Sequence, residues 1–137
     1  MNIDELIKKA LEAQKQAYVP YSRFPVGAAL LTKSGKIYTG CNIENASFGA
    51  TNCAERTAIF KAVSEGEKAF EAIAVVGDPK AFTAPCGICR QVFVEFSTDM
   101  KVIIAKNENE YKEYTLEQVL PLSFTPKDLE ESSSKEG

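Results

Sequence analysis

The sequence predicts a single α/β domain in which a mixed sheet of about five strands packs against helices on its faces, a three-layer α/β/α sandwich. Three observations lead there. Patterns of helical and strand type alternate along the chain, in the order helix, two strands, helix, strand, helix, strand, weak strand, helix. The run Ala72 to Val76 is short and continuously apolar, as in a strand covered on both faces. A chain of 137 residues, 45% hydrophobic and 26% charged, is long enough for one core and too short for two ordinary domains. The domain is expected over residues 1–129. Residues 130–137, Glu-Glu-Ser-Ser-Ser-Lys-Glu-Gly, have nothing to bury and are expected to be a disordered tail.

Each element has a local cause. Asn2-Ile3-Asp4-Glu5 has the form of a helix start, and Ile3, Leu6, Ile7, Ala10, Leu11 and Ala17 recur at helical spacing, with Lys8, Lys9, Glu12 and Lys15 on the wet face. Pro20 is expected to end this helix. Val26 to Leu31 and Ile37 to Cys41 read as two strands of a hairpin turned at Ser34-Gly35. Small residues from Ala46 to Ala50 lead to a second helix over about Ala54 to Ser64, with Gly66 beyond its end. Ala72 to Val76 reads as a buried strand, and Pro85 opens a third helix whose Cys89, Val92, Phe93 and Phe96 share a face. Val102 to Ala105 is a further strand and Tyr111 to Tyr114 a weak one. Thr115-Leu-Glu-Gln118 is a capping box opening a helix that Pro121 cuts short.

Composition removes several function classes. The net charge of -3 and a pI near 5.1, with no basic cluster, argue against a protein that covers nucleic-acid backbone. No apolar run approaches the roughly 20 residues of a membrane span, and Met-Asn-Ile-Asp-Glu lacks the layout of a signal peptide, so a cytoplasmic protein acting on a small molecule is expected. The chain has no histidine, which excludes Ser-His-Asp and Cys-His catalysis. Four cysteines in a chain with no export signal suit metal binding or catalysis better than disulfides.

Two stretches concentrate the chemistry. Asn52-Cys-Ala-Glu-Arg-Thr-Ala-Ile-Phe-Lys61 and Pro85-Cys-Gly-Ile-Cys-Arg-Gln91 together read as one zinc site with Cys53, Cys86 and Cys89 as ligands. Cys53 and Cys86 each fall at a helix start, where unpaired N–H groups and the dipole favour thiolates. Glu55 lies two residues beyond Cys53, about 200° around an ideal helix, so the site must sit beyond the helix tip for both to reach it. Three thiolates leave one position of a tetrahedral zinc ion open to water, the arrangement of a catalytic site, and Glu55 supplies the carboxylate such a site needs to move protons. Three sulfur anions overcompensate the metal's charge. Arg56 and the two helix dipoles are the expected offset. The 33-residue separation of Cys53 and Cys86 makes this a tertiary site, not a zinc finger.

Cys-Ala-Glu at a helix start followed by Pro-Cys-x-x-Cys is the all-cysteine form of the zinc deaminase signature. At these residues the chain resembles the cytidine deaminases, most closely the small bacterial type with an all-cysteine zinc site. The resemblance runs from Leu6 to Leu129 and rests also on Tyr21-Ser-Arg-Phe-Pro-Val-Gly-Ala28, Gly40-Cys-Asn-Ile-Glu-Asn-Ala46 and Leu120-Pro-Leu-Ser-Phe124. It implies a cytidine deaminase-like fold with one Zn2+ per chain, and hydrolytic deamination of cytidine and 2′-deoxycytidine to uridine and 2′-deoxyuridine in pyrimidine salvage. Glu55 would carry a proton from the attacking water to the pyrimidine N3 and onward to the leaving amine. Asn42 and Glu44 would hold the ribose hydroxyls, Phe24 would line the pocket beside the base, and Ala54 would meet the base through its backbone. The resemblance further implies a homotetramer with pockets shared between subunits, bringing Phe48 and Phe124 from neighbours. Two residues depart from the family pattern: Phe48 stands where a tyrosine is expected, and Ile88 where an alanine is usual.

Plainer readings exist for the same residues. Asn52-x-x-Glu55 is also a capping box that could tie down its helix. Asn42 and Glu44 could belong to a turn, Phe24, Phe48 and Phe124 to the core, and Arg56 to the surface. Cys41 as a fourth ligand would close the zinc and leave a structural, non-enzymatic module; as the end of an apolar run it would be an inert thiol. A related deaminase acting on another cytosine-containing small molecule is the alternative within the same chemistry.

Overall fold

Asn2 opens the first helix, α1 (Ile3–Gln14), by accepting a hydrogen bond from the Glu5 backbone N–H on its side chain. The computed structural model describes residues 1–129, so the tail expected over residues 130–137 lies outside the described residues. After α1 come β1 (Gly27–Thr32), β2 (Ile37–Cys41), a 3-10 turn over Phe48–Ala50 and α2 (Ala54–Ser64). The chain continues through β3 (Phe70–Val76), α3 (Gly87–Phe96), β4 (Lys101–Asn107), β5 (Glu110–Tyr114) and α4 (Leu116–Val119).

The five strands form one sheet in the order β2-β1-β3-β4-β5. Only β3 and β4 run parallel; the other three pairings are antiparallel. That parallel pair is joined through α3, because a parallel return needs a crossover and two residues of turn cannot supply one. The helices cover both faces. On one, Leu6, Ile7 and Ala10 of α1 pack on Ala29, Ala72, Ala74 and Ile103. On the other, Ala58 and Ile59 of α2 and Cys89 and Phe93 of α3 pack on Leu30, Ile73, Val75 and Val102, with Leu116 and Val119 of α4 at the margin. β3 alternates between both clusters, which is why its run from Ala72 to Val76 is apolar without interruption, with only Glu71 exposed.

The expected three-layer architecture is therefore present, with differences at the ends of elements. The first helix stops at Gln14 and does not reach Ala17 or Pro20. Tertiary pairing wins there: Tyr18 N–H donates to the Asn42 carbonyl and the Tyr18 carbonyl accepts from Glu44 N–H, so the chain must already be extended. The Asn52-x-x-Glu55 capping box does not form either, because Cys53, not Asn52, is the N-cap of α2, and no side chain caps it. The Thr115–Gln118 box does form, with both of its reciprocal bonds.

One close approach fixes where α2 begins. Gly40 of β2 lies against the backbone of α2, and a Cβ there would meet the Ala54 carbonyl and come within 2.6 Å of the Ala58 nitrogen. Backbone atoms of a packed helix cannot step aside as a flexible side-chain tip can. Gly40→Ala is expected to destabilise the fold by about 3 kcal/mol, read as a lowered urea midpoint at unchanged m value. A variant within about 0.5 kcal/mol of the wild type would show that α2 can shift at no cost.

Candidate metal centre

The N-termini of α2 and α3 meet on one face of the sheet, and each presents a cysteine as its N-cap: Cys53 for α2 and Cys86 for α3. Cys89, one turn into α3, is buried beneath them. The three Sγ atoms lie within 4.8 Å of one another. The Cys53 and Cys86 sulfurs are 3.7 Å apart, and zinc–sulfur bonds of about 2.3 Å in a tetrahedron require sulfurs roughly 3.8 Å apart. The sulfurs are thus already spaced for zinc. Among the described residues no fourth candidate ligand joins the group, and Cys41, half-buried at the end of β2, stands outside it. The closed four-cysteine site is not what the fold builds.

Charge at the cluster is uneven. Arg56 Nη2 donates to the Cys53 sulfur over 3.2 Å, while its Nε is buried with no hydrogen-bond partner among the described residues. Hydrogen bonding with Cys89, and then with Arg56 and Cys86, holds the Cys53 thiol down to about 5 despite its burial. Hydrogen bonding with Cys53, and then burial, pushes the Cys89 thiol up. Glu55, only 3% exposed, has its carboxyl pushed up to about 7, chiefly by burial. That places its proton exchange near neutrality.

Residues 1–106 match the family model described as the cytidine and deoxycytidylate deaminase zinc-binding region. The chain belongs to the cytidine deaminase family. It is 51% identical over 130 residues to the cytidine deaminase of Sporosarcina psychrophila, covering 94% of this chain and 96% of that one. To the cytidine deaminase of Halalkalibacterium halodurans it is 53% identical, covering 94% and 98%. The crystal structure of the cytidine deaminase from Burkholderia pseudomallei superposes with a TM-score of 0.85 at 45% identity, covering 90% of this chain and all of that one. The cysteine triad of this cytidine deaminase family member therefore sits in a family described by its zinc binding.

The other residues singled out in the sequence of this cytidine deaminase relative fall into two groups. Ala54 and Glu55 are buried in the first turn of α2, beside the sulfurs. Asn42 and Glu44 lie just past β2 and grip the loop before β1. Asn42 Oδ1 accepts from Val26 N–H and its Nδ2 donates to the Phe24 carbonyl, while Glu44 Oε1 accepts from the N–H groups of Tyr21 and Ser22. Hydrogen bonding with Ser22 holds the Glu44 carboxyl below its ordinary range. Sequence reasoning missed these loop bonds, because only the folded chain brings residues 21–26 against residues 42–44. Glu44 and Phe48 line a cavity of about 400 Å3 with Tyr21, Ser22, Asn45 and Thr51. Phe24 and Phe124 are exposed, and Phe48 is 81% exposed, so none of the three is a core residue. A separate cavity of about 430 Å3, lined by residues including Lys33, Phe70 and Thr125, shares no residue with the cysteine cluster.

Proposed function

We propose that this chain is a zinc-dependent hydrolase that deaminates cytidine and 2′-deoxycytidine, giving uridine or 2′-deoxyuridine and ammonia. The observation that carries the reading is the buried Glu55 carboxyl next to three cysteine sulfurs already spaced for zinc, in a chain whose relatives are named cytidine deaminases.

Zinc, when held by Cys53, Cys86 and Cys89, supplies the Lewis acidity that lets a water molecule lose a proton near neutral pH. Glu55 takes that proton and delivers it to N3 of the pyrimidine while the water oxygen bonds to C4. It then carries the second proton of the same oxygen to the amine; the C4–N bond breaks, ammonia leaves and the carbonyl of the uracil ring forms. Water is consumed and no redox partner is needed. Arg56 holds Cys53 as a thiolate and offsets the excess negative charge of three sulfurs, assisted by the N-terminal dipoles of α2 and α3. The Ala54 backbone meets the base and Phe24 lines the pocket beside it. Asn42 and Glu44 keep acceptor or donor capacity beyond the loop bonds they make, and in this reading they also hold the ribose hydroxyls.

The reading includes a homotetramer in which Phe48 and Phe124 reach the pockets of neighbouring copies. Support comes from their exposure, together with that of Leu122 and Ile88, an apolar surface that a lone chain leaves in water. It also includes a cytoplasmic location and no membrane or nucleic-acid partner. Free thiols, one of them exposed, suit a reducing compartment, and among the described residues no helix is long and apolar enough to cross a membrane.

The test is zinc content and conversion of cytidine, followed by ultraviolet absorbance and ammonia release, on one preparation. About one zinc per chain with stoichiometric uridine and ammonia is the expected result. A zinc-loaded protein inert toward cytidine and 2′-deoxycytidine but active on another cytosine-bearing small molecule would overturn the substrate, and inertness toward all of them would overturn the enzyme.

A further inference from the structure

We propose that Arg90 is a positioning residue that holds the exposed ligand Cys86 in place for the metal, by clamping the carbonyl of Pro85 to the end of α4. The inference rests on the reading of the three cysteines as the zinc site. The three sulfurs are not equally supported. Cys89 is buried within α3 and Cys53 is half-buried at the start of α2, whereas Cys86 is exposed and ends a stretch, residues 77–86, without regular secondary structure. Pro85 has no N–H to anchor that stretch to anything. Cys86 is thus the ligand most able to leave.

The Cys86 sulfur accepts from Cys89 N–H at 3.4 Å, and its backbone is held from one residue. Arg90 takes two successive carbonyls, its backbone N–H bonding Cys86 O at 3.0 Å and its Nε–H bonding Pro85 O at 2.8 Å. From the other edge of the same guanidinium, Nη1 donates to the carbonyl of Val119 at 2.8 Å. Val119 ends α4, where last-turn carbonyls have no intrahelical partner and a cation is welcome. The planar fork therefore ties the Cys86 backbone to a second helix, at a place where a single-point ammonium could reach one carbonyl but not bridge both. Among the described residues no carboxylate pairs with Arg90. Its neighbour Gln91 provides an internal contrast. From the same helix it donates to Phe124 O at 2.6 Å, and so ties down the C-terminal segment without touching the Cys86 stretch.

The experiment measures zinc release from the loaded protein into a chromophoric chelator for wild type, Arg90→Ala, Arg90→Lys and Gln91→Ala, with urea unfolding of the same four proteins in excess chelator. Loss of an outer partner of a metal ligand typically costs about 10- to 100-fold in metal affinity. Arg90→Ala is expected to release zinc faster by an amount in that range, Arg90→Lys by less, and Gln91→Ala at the wild-type rate. Wild-type release from Arg90→Ala, with only the metal-free fold weakened, would reduce Arg90 to a structural tie and overturn the proposal. So would equal acceleration by Gln91→Ala. If Arg90→Ala does not fold, Arg90→Lys decides: release at the wild-type rate overturns the role. A wild-type protein that binds no zinc removes the metal reading and this inference with it, whereas a loaded wild type with unmoved variants removes the inference alone.

Discussion

Replacing Glu55 with glutamine is expected to lower cytidine turnover by about 10³-fold while the protein keeps its zinc and its fold. Glutamine preserves the volume and the acceptor oxygen of the side chain but can neither take a proton from water nor deliver one to N3. The substitution is made at a site that is 3% exposed, where burial already pushes the carboxyl up to about 7. A neutral amide relieves that burial of charge, so the metal-free variant should be at least as stable as the wild type. The effect should fall on kcat, because the proton transfers occur after the nucleoside has bound. Single-turnover conversion, zinc content and a urea titration on the same preparation check it. Turnover within tenfold of wild type, at full zinc, would mean that another group moves the protons.

Cys89→Ala is expected to abolish stoichiometric zinc binding and, with it, all measurable deamination. Cys89 is the one fully buried member of the triad, packed in the core between α2 and α3 with its sulfur within 4.8 Å of those of Cys53 and Cys86. Two remaining sulfurs, one exposed, do not make a closed or selective zinc site. The thermal consequence is the sharper readout. A ligand at about 1,000 times its dissociation constant adds about 4 kcal/mol to stability. For a chain of this size that corresponds to a rise in Tm of roughly 15 °C on adding zinc to stripped wild type. Cys89→Ala should show no rise at all. A zinc-dependent shift that survives in Cys89→Ala would put the ion somewhere other than the cysteine triad.

Much of this was legible in the sequence because local chemistry and tertiary role agree. The Asn2 and Thr115 caps, the Ser34-Gly35 turn and the uninterrupted apolar run of β3 each name their element without reference to the rest of the chain. Cys53, Cys86 and Cys89 were legible for a different reason: spacing at two helix starts restricts where three sulfurs can go. The end of α1 was not legible, because it is decided by the pairing of Tyr18 with residues 42–44, a contact with no local signature. The capping box at Asn52, the plainer reading of Glu55, does not form. The helix starts at Ala54, as expected, with Cys53 as its N-cap, and the Asn52 side chain donates to Thr57 Oγ1. The loop bonds of Asn42 and Glu44 were equally hidden, and so was Arg90, whose position directly after the second cysteine of Cys-x-x-Cys is its only signal.

The two helices that carry the cysteine triad pack on one face of a sheet that contains a parallel pairing, and the chain between Cys53 and Cys86 passes through β3 before it returns. Parallel pairing across a helical crossover is among the slower events in folding, since the loop must close before any contact rewards it. The three sulfurs are gathered by α2 and α3 packing on one face of that sheet, so they come within 4.8 Å of one another through tertiary packing. Capture of the ion is then a late step, made by a chain that already has its sheet. Scarcity of zinc during synthesis would leave behind a folded, silent enzyme awaiting its ion, rather than an unfolded chain to be cleared.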